Sequence, residues 1–200
     1  MLRNPTLIVL LALLATACSV LPQPQPVALD KYLLQYTPAA TETATPGVPV
    51  VVVSTPHAHG AYDTARIAYM QQRYGLRYYT RSRWADTPAR MLAPLMAEAV
   101  NATGRFQALY SSPGRVAAEL RLDTELIRFH QDFTVEPSVL HLTLRAQLVD
   151  LTQQRVLASR LFDVREPAAS ADAYGGVQAA NRAVQALLEE LAEFCIDAAP

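Results

Sequence analysis

The stretch VLHLTLRAQLV, residues 139–149, alternates with a period of two: Leu140, Leu142, Leu144, Ala146 and Leu148 fall on one side, and His141, Thr143, Arg145 and Gln147 on the other. Successive side chains of a strand point to opposite faces, so this is a strand with one buried and one wetted face. Residues 118–133 begin the same way, with Leu120, Leu122 and Leu126 on one face. Ile127, Phe129 and Phe133 then take the opposite parity. One β-bulge near 126–127 accounts for the switch. Residues 155–164 (RVLASRLFDV) return after the turn LTQQ. The three segments predict an antiparallel meander.

Working outward, residues 172–197 read as a long helix, apart from Gly175 and Gly176 near its start. Val177, Ala180, Val184, Leu187, Leu188, Leu191 and Phe194 form its apolar stripe. Cys195 joins that pattern and reads as a buried small hydrophobe. Upstream, Thr87 is placed to cap a helix with Pro88 in its first turn. Met91, Leu92, Leu95, Met96, Ala99 and Val100 recur at helical spacing, and Gly104 closes it. Residues 31–37 (KYLLQYT), 65–71 (ARIAYMQ), 75–83 (GLRYYTRSR) and 106–110 read as strands, the second and third joined through QRYG. Residues 38–47 read as a polar loop. The β-branched run 48–54 (VPVVVVS) reads as a strand buried on both faces, with Pro49 at its start. Strands dominate the middle and two helices complete the chain. The expected fold is α+β: a largely antiparallel β-sheet with two α-helices packed on one face, and no internal repeat.

The amino terminus has a different grammar. Arg3 gives a short positive start, residues 7–15 (LIVLLALLA) are apolar, and Ala15, Thr16 and Ala17 are small residues before Cys18. That is the layout of a secretory signal peptide over 1–17, and the apolar core is shorter than the roughly 20 residues a spanning helix needs. An uncleaved membrane helix and ordinary cleavage without lipid are the alternatives. ATAC resembles the lipobox of bacterial lipoproteins, with Ala15 where Leu is commonest. The resemblance implies a diacylglyceryl group on the Cys18 sulfur, cleavage before it and an acyl group, typically palmitate, on the new amine. Several chains anchor where one does not, since each buried methylene adds about 0.8 kcal/mol. Ser19 in place of the Asp common in inner-membrane lipoproteins favours the outer membrane. Residues 18–30 carry a proline-rich run that reads as a stiff tether. Residues 31–200 then form a single domain of ordinary size.

With 17 basic and 18 acidic residues and a formal net charge of −1, nothing points to nucleic acid. Lys31 is the only lysine. With lipid on Cys18, Cys195 has no partner and no intrachain disulfide forms. There is no GxGxxG, P-loop, GxSxG, HExxH or CxxC. The histidines are His57, His59, His130 and His141. His57 and His59 on an extended segment would put both rings on one side, as metal ligands require. Nothing near them completes a site, so they read as loop histidines without metal. No cofactor is indicated. One constellation has chemical content. If 75–83 is a strand, Arg77, Tyr79, Arg81 and Arg83 share a face, a ladder able to hold lipid phosphates or an acidic protein surface bidentately. A solvated outer face with Arg stems covering apolar atoms is the plainer reading. Glu189, Glu190, Glu193 and Asp197 read as a solvated helix face.

Several segments together resemble the ABC-type transport auxiliary lipoproteins, which include the paraquat-inducible protein C type. These are KYLLQYTP, RIAYMQQRYGLRYYTRSRWADTPARML, LRLDTELIRFHQDF, LHLTLRAQLVDLTQQRVLASRLFDV and AYGGVQAANRAVQALLEELAEF. The resemblance implies an accessory, docking role at the periplasmic face of the outer membrane of a Gram-negative bacterium. It sets the protein beside an ABC transporter that moves lipid between membranes and has an MCE-type membrane-anchored protein as partner. It brings no catalytic residue; Trp84 is expected to anchor strand against helix. Two other readings stand beside it: a lipoprotein regulator or assembly factor for a cell-wall synthase or lipopolysaccharide machinery, and a hydrolase with an unrecognised site. A homo-oligomer, such as a ring, and a lipid-holding groove between sheet and helices are left open.

Overall fold

The computed structural model describes residues 28–40, 42, 47–110 and 117–200; the expected signal peptide, Cys18 and most of the expected tether lie outside the described residues. The elements run β1 (Asp30–Tyr32), β2 (Val50–Val53), β3 (His57–Ala58), β4 (Arg66–Gln72), β5 (Gly75–Trp84), α1 (Pro88–Ala102), β6 (Gln107–Tyr110), β7 (Leu120–Asp132), β8 (Val139–Asp150), β9 (Arg155–Pro167) and α2 (Ala173–Ala198). The fold is α+β: one large mixed sheet, mostly antiparallel, with both helices on one face.

β7, β8 and β9 form the expected antiparallel meander. The other edge of β7 is shared by three short strands laid end to end, all parallel to it. Val51–Val53 of β2 meet Leu120–Leu122, β3 meets Glu125–Leu126, and Ala68–Met70 of β4 meet His130–Asp132. Beyond β7 the sheet therefore divides. One branch continues β4–β5–β1, and the other adds β6 beside β2. The β7–β8 register slips between Leu126 and Arg128, at the place where the apolar parity switches. The slip brings Leu120, Leu122, Leu126 and Phe129 to the helix side, all at 3 % exposure or less. There they meet Leu92, Met96 and Val100 of α1 and Val184, Leu187, Leu188 and Leu191 of α2 in one core. Each such side chain contributes about 1.5–3 kcal/mol on burial, so this layer outweighs any single surface contact. Trp84 is buried and stacks on Phe129 with ring centroids 5.3 Å apart, pinning β5 over β4 onto the spine strand. Cys195 is fully buried in the core, and burial pushes its thiol pKa up to about 12.

Two local expectations change. Val51 and Val53 are fully buried, whereas Val50 and Val52 are only partly covered, so β2 is packed on one face. The first strand is shorter than 31–37. Its pairing with β5 stops at Tyr32, and the following segment leaves the sheet to lie along α2. Asn181 and Gln185, one helical turn apart, replace the missing strand with their side-chain amides. Asn181 accepts from the Gln35 amide at 2.8 Å and donates to the Leu33 carbonyl. Gln185 accepts from the Thr37 amide at 3.1 Å and donates to the Thr37 carbonyl at 2.9 Å. β-branched and aromatic content reads the same whether a backbone pairs with a strand or with a helix's side chains, so the sequence pattern did not distinguish them.

Replacing Asn181 and Gln185 together by alanine strips these partners from the segment. At about 1 kcal/mol per hydrogen bond, native-state hydrogen exchange of the Gln35 and Thr37 amides is expected to accelerate about tenfold or more, with core amides of β7 and β8 unchanged.

Candidate functional site

The β4–β5 hairpin carries most of the unneutralised positive charge among the described residues. Its turn leaves Tyr74, with φ of 66°, 93 % exposed beside Arg73. Further down, the two strands fall out of step: Arg66 pairs with Arg83, and Ala68 pairs with Tyr78. Two steps on β4 are matched by five on β5, and the odd excess inverts the side-chain parity of β5. Trp84 and Ser82 face the helices at one end, and Tyr79 faces them at the other. The four residues expected to form a ladder, Arg77, Tyr79, Arg81 and Arg83, therefore do not share a face. Arg77 lies opposite Tyr69 on the helix side, exposed, and donates to Gln71 Oε1 at 3.3 Å. Arg81 is exposed on the irregular stretch. Arg83 points to the outer face, away from the helices.

Tyr79 is part of an internal network. Its hydroxyl donates to Gln131 Oε1 at 3.0 Å, and its ring lies 4.6 Å from that of Tyr69, which meets Phe133 edge-on at 6.0 Å. Gln131, 1 % exposed, donates in turn to Ser138 Oγ at 2.9 Å. Burial, and secondarily Tyr69 and Asp172, push the Tyr79 phenol above its ordinary pKa, so it remains a neutral donor. The network explains Gly176: a Cβ there would overlap Gln131 Oε1, and one at Gly175 would overlap Ser170. The two glycines let α2 begin hard against the sheet, with Asp172 capping it through the Gly175 amide at 2.7 Å.

On the outer face, register makes an arrangement that spacing did not reveal. Lys31 of β1 is directly opposite Arg83 of β5, which is directly opposite Arg66 of β4. Three cations thus stand in a row across three neighbouring strands. The Arg66 guanidinium lies 4.0 Å over the Tyr78 ring, and the Tyr78 hydroxyl donates to the Ala61 carbonyl at 2.9 Å. Among the described residues no carboxylate bridges Lys31, Arg66, Arg73, Arg77, Arg81 or Arg83. Elsewhere most arginines are matched, among them Arg121 with Asp123 at 2.7 Å, Arg145 with Glu125 at 2.6 Å, Arg160 with Glu190 at 2.8 Å, Arg165 with Asp163 at 3.2 Å and Arg182 with Glu166 at 3.2 Å, while Arg105, Arg128 and Arg155 have no ion-pair partner among the described residues. Like charges directly opposite on a sheet cost about 0.2–1 kcal/mol per pair, so the row favours an incoming anion. Lys31 and Arg66 lie outside the sequence-derived set because they are distant in the chain; only strand register joins them to Arg83.

The histidines follow the outer face as well. His59 Nε2 lies 2.9 Å from Glu125 Oε1, and His57 is exposed on β3. His130 and His141 are cross-strand partners with stacked rings at 5.5 Å, and Tyr62 Oη reaches His130 Nδ1 at 2.9 Å. The described residues contain no group of three His, Cys, Asp or Glu side chains placed to hold a metal. No described helix is long and apolar enough to cross a membrane. Burial and the neighbouring His141 push His130 down to about 4. His141 is also lowered, chiefly by burial and then by Arg165, while Asp132 opposes both shifts.

A family model described as "ABC-type transport auxiliary lipoprotein component" matches residues 32–192. No curated protein matches the chain. Among solved structures, the protein XCC0632 from Xanthomonas campestris shares 24 % identity, with 84 % of this chain and 95 % of that one covered at a TM-score of 0.70. An uncharacterized protein shares 11 % identity, with coverage of 86 % and 99 % and a TM-score of 0.65. At these identities the likeness is one of fold.

Two outcomes test the site's internal support. Gly176→Ala is expected to displace Gln131, uncouple Tyr79 and cost about 1–3 kcal/mol in denaturant unfolding, with a changed near-ultraviolet signal. His130 is neutral in the folded state down to a lower pH than in the unfolded chain. Its contribution is complete above the unfolded value of 6.5 and is lost as pH falls from 6.5 through about 4. Denaturation midpoints should decline over that window, and His130→Phe should flatten the decline there while leaving the carboxylate-driven loss at lower pH.

Proposed function

The chain belongs to the family of ABC-type transport auxiliary lipoprotein components, and we propose that it is the outer-membrane, periplasm-facing docking subunit of an MCE-associated system that moves lipid between the two membranes. Lipid on Cys18 holds the domain at the bilayer, and the β4–β5 hairpin receives the membrane-anchored MCE-type partner. The chain has no phosphate-binding loop, so ATP hydrolysis belongs to another subunit of such a system.

The observation that carries this reading is the unmatched hairpin. β1 covers β5 only at Ser82–Trp84, so among the described residues the Gly75–Arg81 flank has no strand beside it. A free strand edge offers main-chain donors and acceptors to an incoming segment, while Arg73, Arg77 and Arg81 select for an acidic one. Five of the described arginines without an ion-pair partner, Arg66, Arg73, Arg77, Arg81 and Arg83, sit on this one hairpin, against Arg105, Arg128 and Arg155 spread over the rest of the fold, so the unpaired charge is concentrated here. Charge of this kind governs encounter and register more than total affinity.

The Arg77→Glu, Arg81→Glu double variant is expected to fold normally, because both side chains are exposed, and to lose about tenfold or more in affinity for the MCE-type protein at physiological salt. Co-purification followed by titration measures it. Intact-mass analysis of the native protein should show a triacylated Cys18 as the first residue. Undiminished partner binding by the variant would remove the hairpin from the interface, and an unmodified amino terminus would remove the anchor.

A further inference from the structure

We propose that the β1 edge of the sheet is a membrane-seating surface that binds the phosphates of anionic lipid headgroups, with Lys31, Arg83 and Arg66 as the phosphate row and Leu29 and Leu33 as insertion points. The proposal rests on the reading of Cys18 as the lipid-bearing residue and adds a second, non-covalent contact between the domain itself and the bilayer.

Three observations meet at this edge. Along the chain, Leu29, Lys31 and Leu33 are exposed, while Tyr32 packs against the core and Leu34 is buried in it. Leu29 is 43 % exposed and Leu33 58 % exposed. Across the sheet, Lys31 is followed by Arg83 and then Arg66 in adjacent positions, with no described carboxylate bridging them. Exposed leucines thus flank Lys31 along the chain, and arginines succeed it across the sheet. That combination suits a boundary where headgroup phosphates lie just above acyl chains, because leucines gain from insertion only if the neighbouring charges find counter-ions at the same depth. An acidic protein surface would satisfy the cations but leave both leucines wet.

The third observation is position. Only residues 19–28 separate Cys18 from Leu29, a span of roughly 36 Å at full extension. The patch is thus the first part of the domain to meet a bilayer that holds the Cys18 lipid. Tyr174, 56 % exposed at the start of α2, stands 6.1 Å from Tyr32 and borders the same edge. It supplies the amphipathic aromatic that belongs at a water–lipid boundary. The hairpin flank assigned to the protein partner begins further along β5, so seating leaves it in the periplasm.

The test uses the full lipidated protein in vesicles, with Leu33→Cys carrying an environment-sensitive fluorophore; Cys195, fully buried and with its thiol pKa raised to about 12, does not compete for label. In vesicles of phosphatidylethanolamine with phosphatidylglycerol, the label is expected to shift to the blue and to be quenched by headgroup nitroxides. In pure phosphatidylcholine both responses should be weak, and a Gln153→Cys label at the β8–β9 turn should show neither. Lys31→Gln, Arg66→Gln, Arg83→Gln combined should lower the seated-to-free ratio by about 100-fold. Raising salt on the unaltered row should reproduce the loss without any risk to folding. Vesicle flotation at high salt reports the lipid anchor alone. Failure to float removes the Cys18 reading, whereas flotation with a label that stays in water on anionic vesicles overturns the seating surface. Loss of MCE-partner binding by the triple variant, with no lipid response at Leu33, would reassign the row to a protein contact and equally overturn the proposal.

Discussion

Everything in this domain hangs on the two-sided ladder of β7. One edge of that strand is used along its full length by β8, and the other is divided among β2, β3 and β4. Because all three run parallel to β7, the chain from Val50 to Gln72 makes one long pass beside it, broken by the excursion that carries Tyr62 over His130. A hairpin fixes its own register through its turn, but a parallel pairing cannot. The long pass is held by burial instead: Val51, Val53 and Ile67 enter the same core as Leu122 and Phe129. The position of the arginine hairpin relative to the meander is therefore set by its buried contacts with β7, Ile67 and Trp84 in the core and Tyr79 on Gln131, and not by its exposed arginines.

Two slips of phase then decide which side chains face the core. The one near Leu126 was legible because both sides of it are apolar; Leu126 and Phe129 cannot both be buried without an extra residue between them. The one in β5 was not. Thr80, Arg81 and Ser82 carry no parity signal, and strict alternation from Arg77 to Arg83 was as consistent with the sequence as the observed inversion. The fold class, the meander and both helices rest on long periodic runs and could be read directly. The composition of the candidate site rests on one irregular tripeptide and on the pairing of β1 with β5. Lys31 and Arg66 were for that reason outside the set, and Tyr79 was inside it.

The distribution of charge follows from the same geometry. On the meander Arg145 lies directly opposite Glu125 on the neighbouring strand, and Arg165 is matched with Asp163 two residues away on its own strand, although Arg128 and Arg155 have no such partner among the described residues. Such exposed pairs are each worth only about 0–1 kcal/mol, so their regularity concerns neutrality more than stability. The β4–β5–β1 branch carries no equivalent acids facing its arginines. With a core of this size the penalty of like charges is tolerable, and it is removed whenever an anion binds. The unmatched branch is also the one that begins with β1, next in sequence to the proposed tether.

That coincidence has a mechanical side. A lipid-anchored subunit bears load through its tether, and the first described structure the tether reaches is β1, three residues paired to β5. So short a strand would peel under modest force, because its backbone bonds are loaded one after another. The segment after it is not left to hang: Asn181 and Gln185 bind it to the middle of α2, and Leu34 is buried in the core beneath. Force entering at Leu29 therefore passes through β1 into the long helix that caps the whole sheet. Seating Lys31, Arg83 and Arg66 on phosphates would relieve β1 of that load, since the bilayer would then hold the edge directly. On this view the row and the amide clasp serve one purpose from two sides. Each would keep the domain in a fixed attitude to the membrane, and a fixed attitude would let the exposed strand edge on the same hairpin present itself to the partner proposed above.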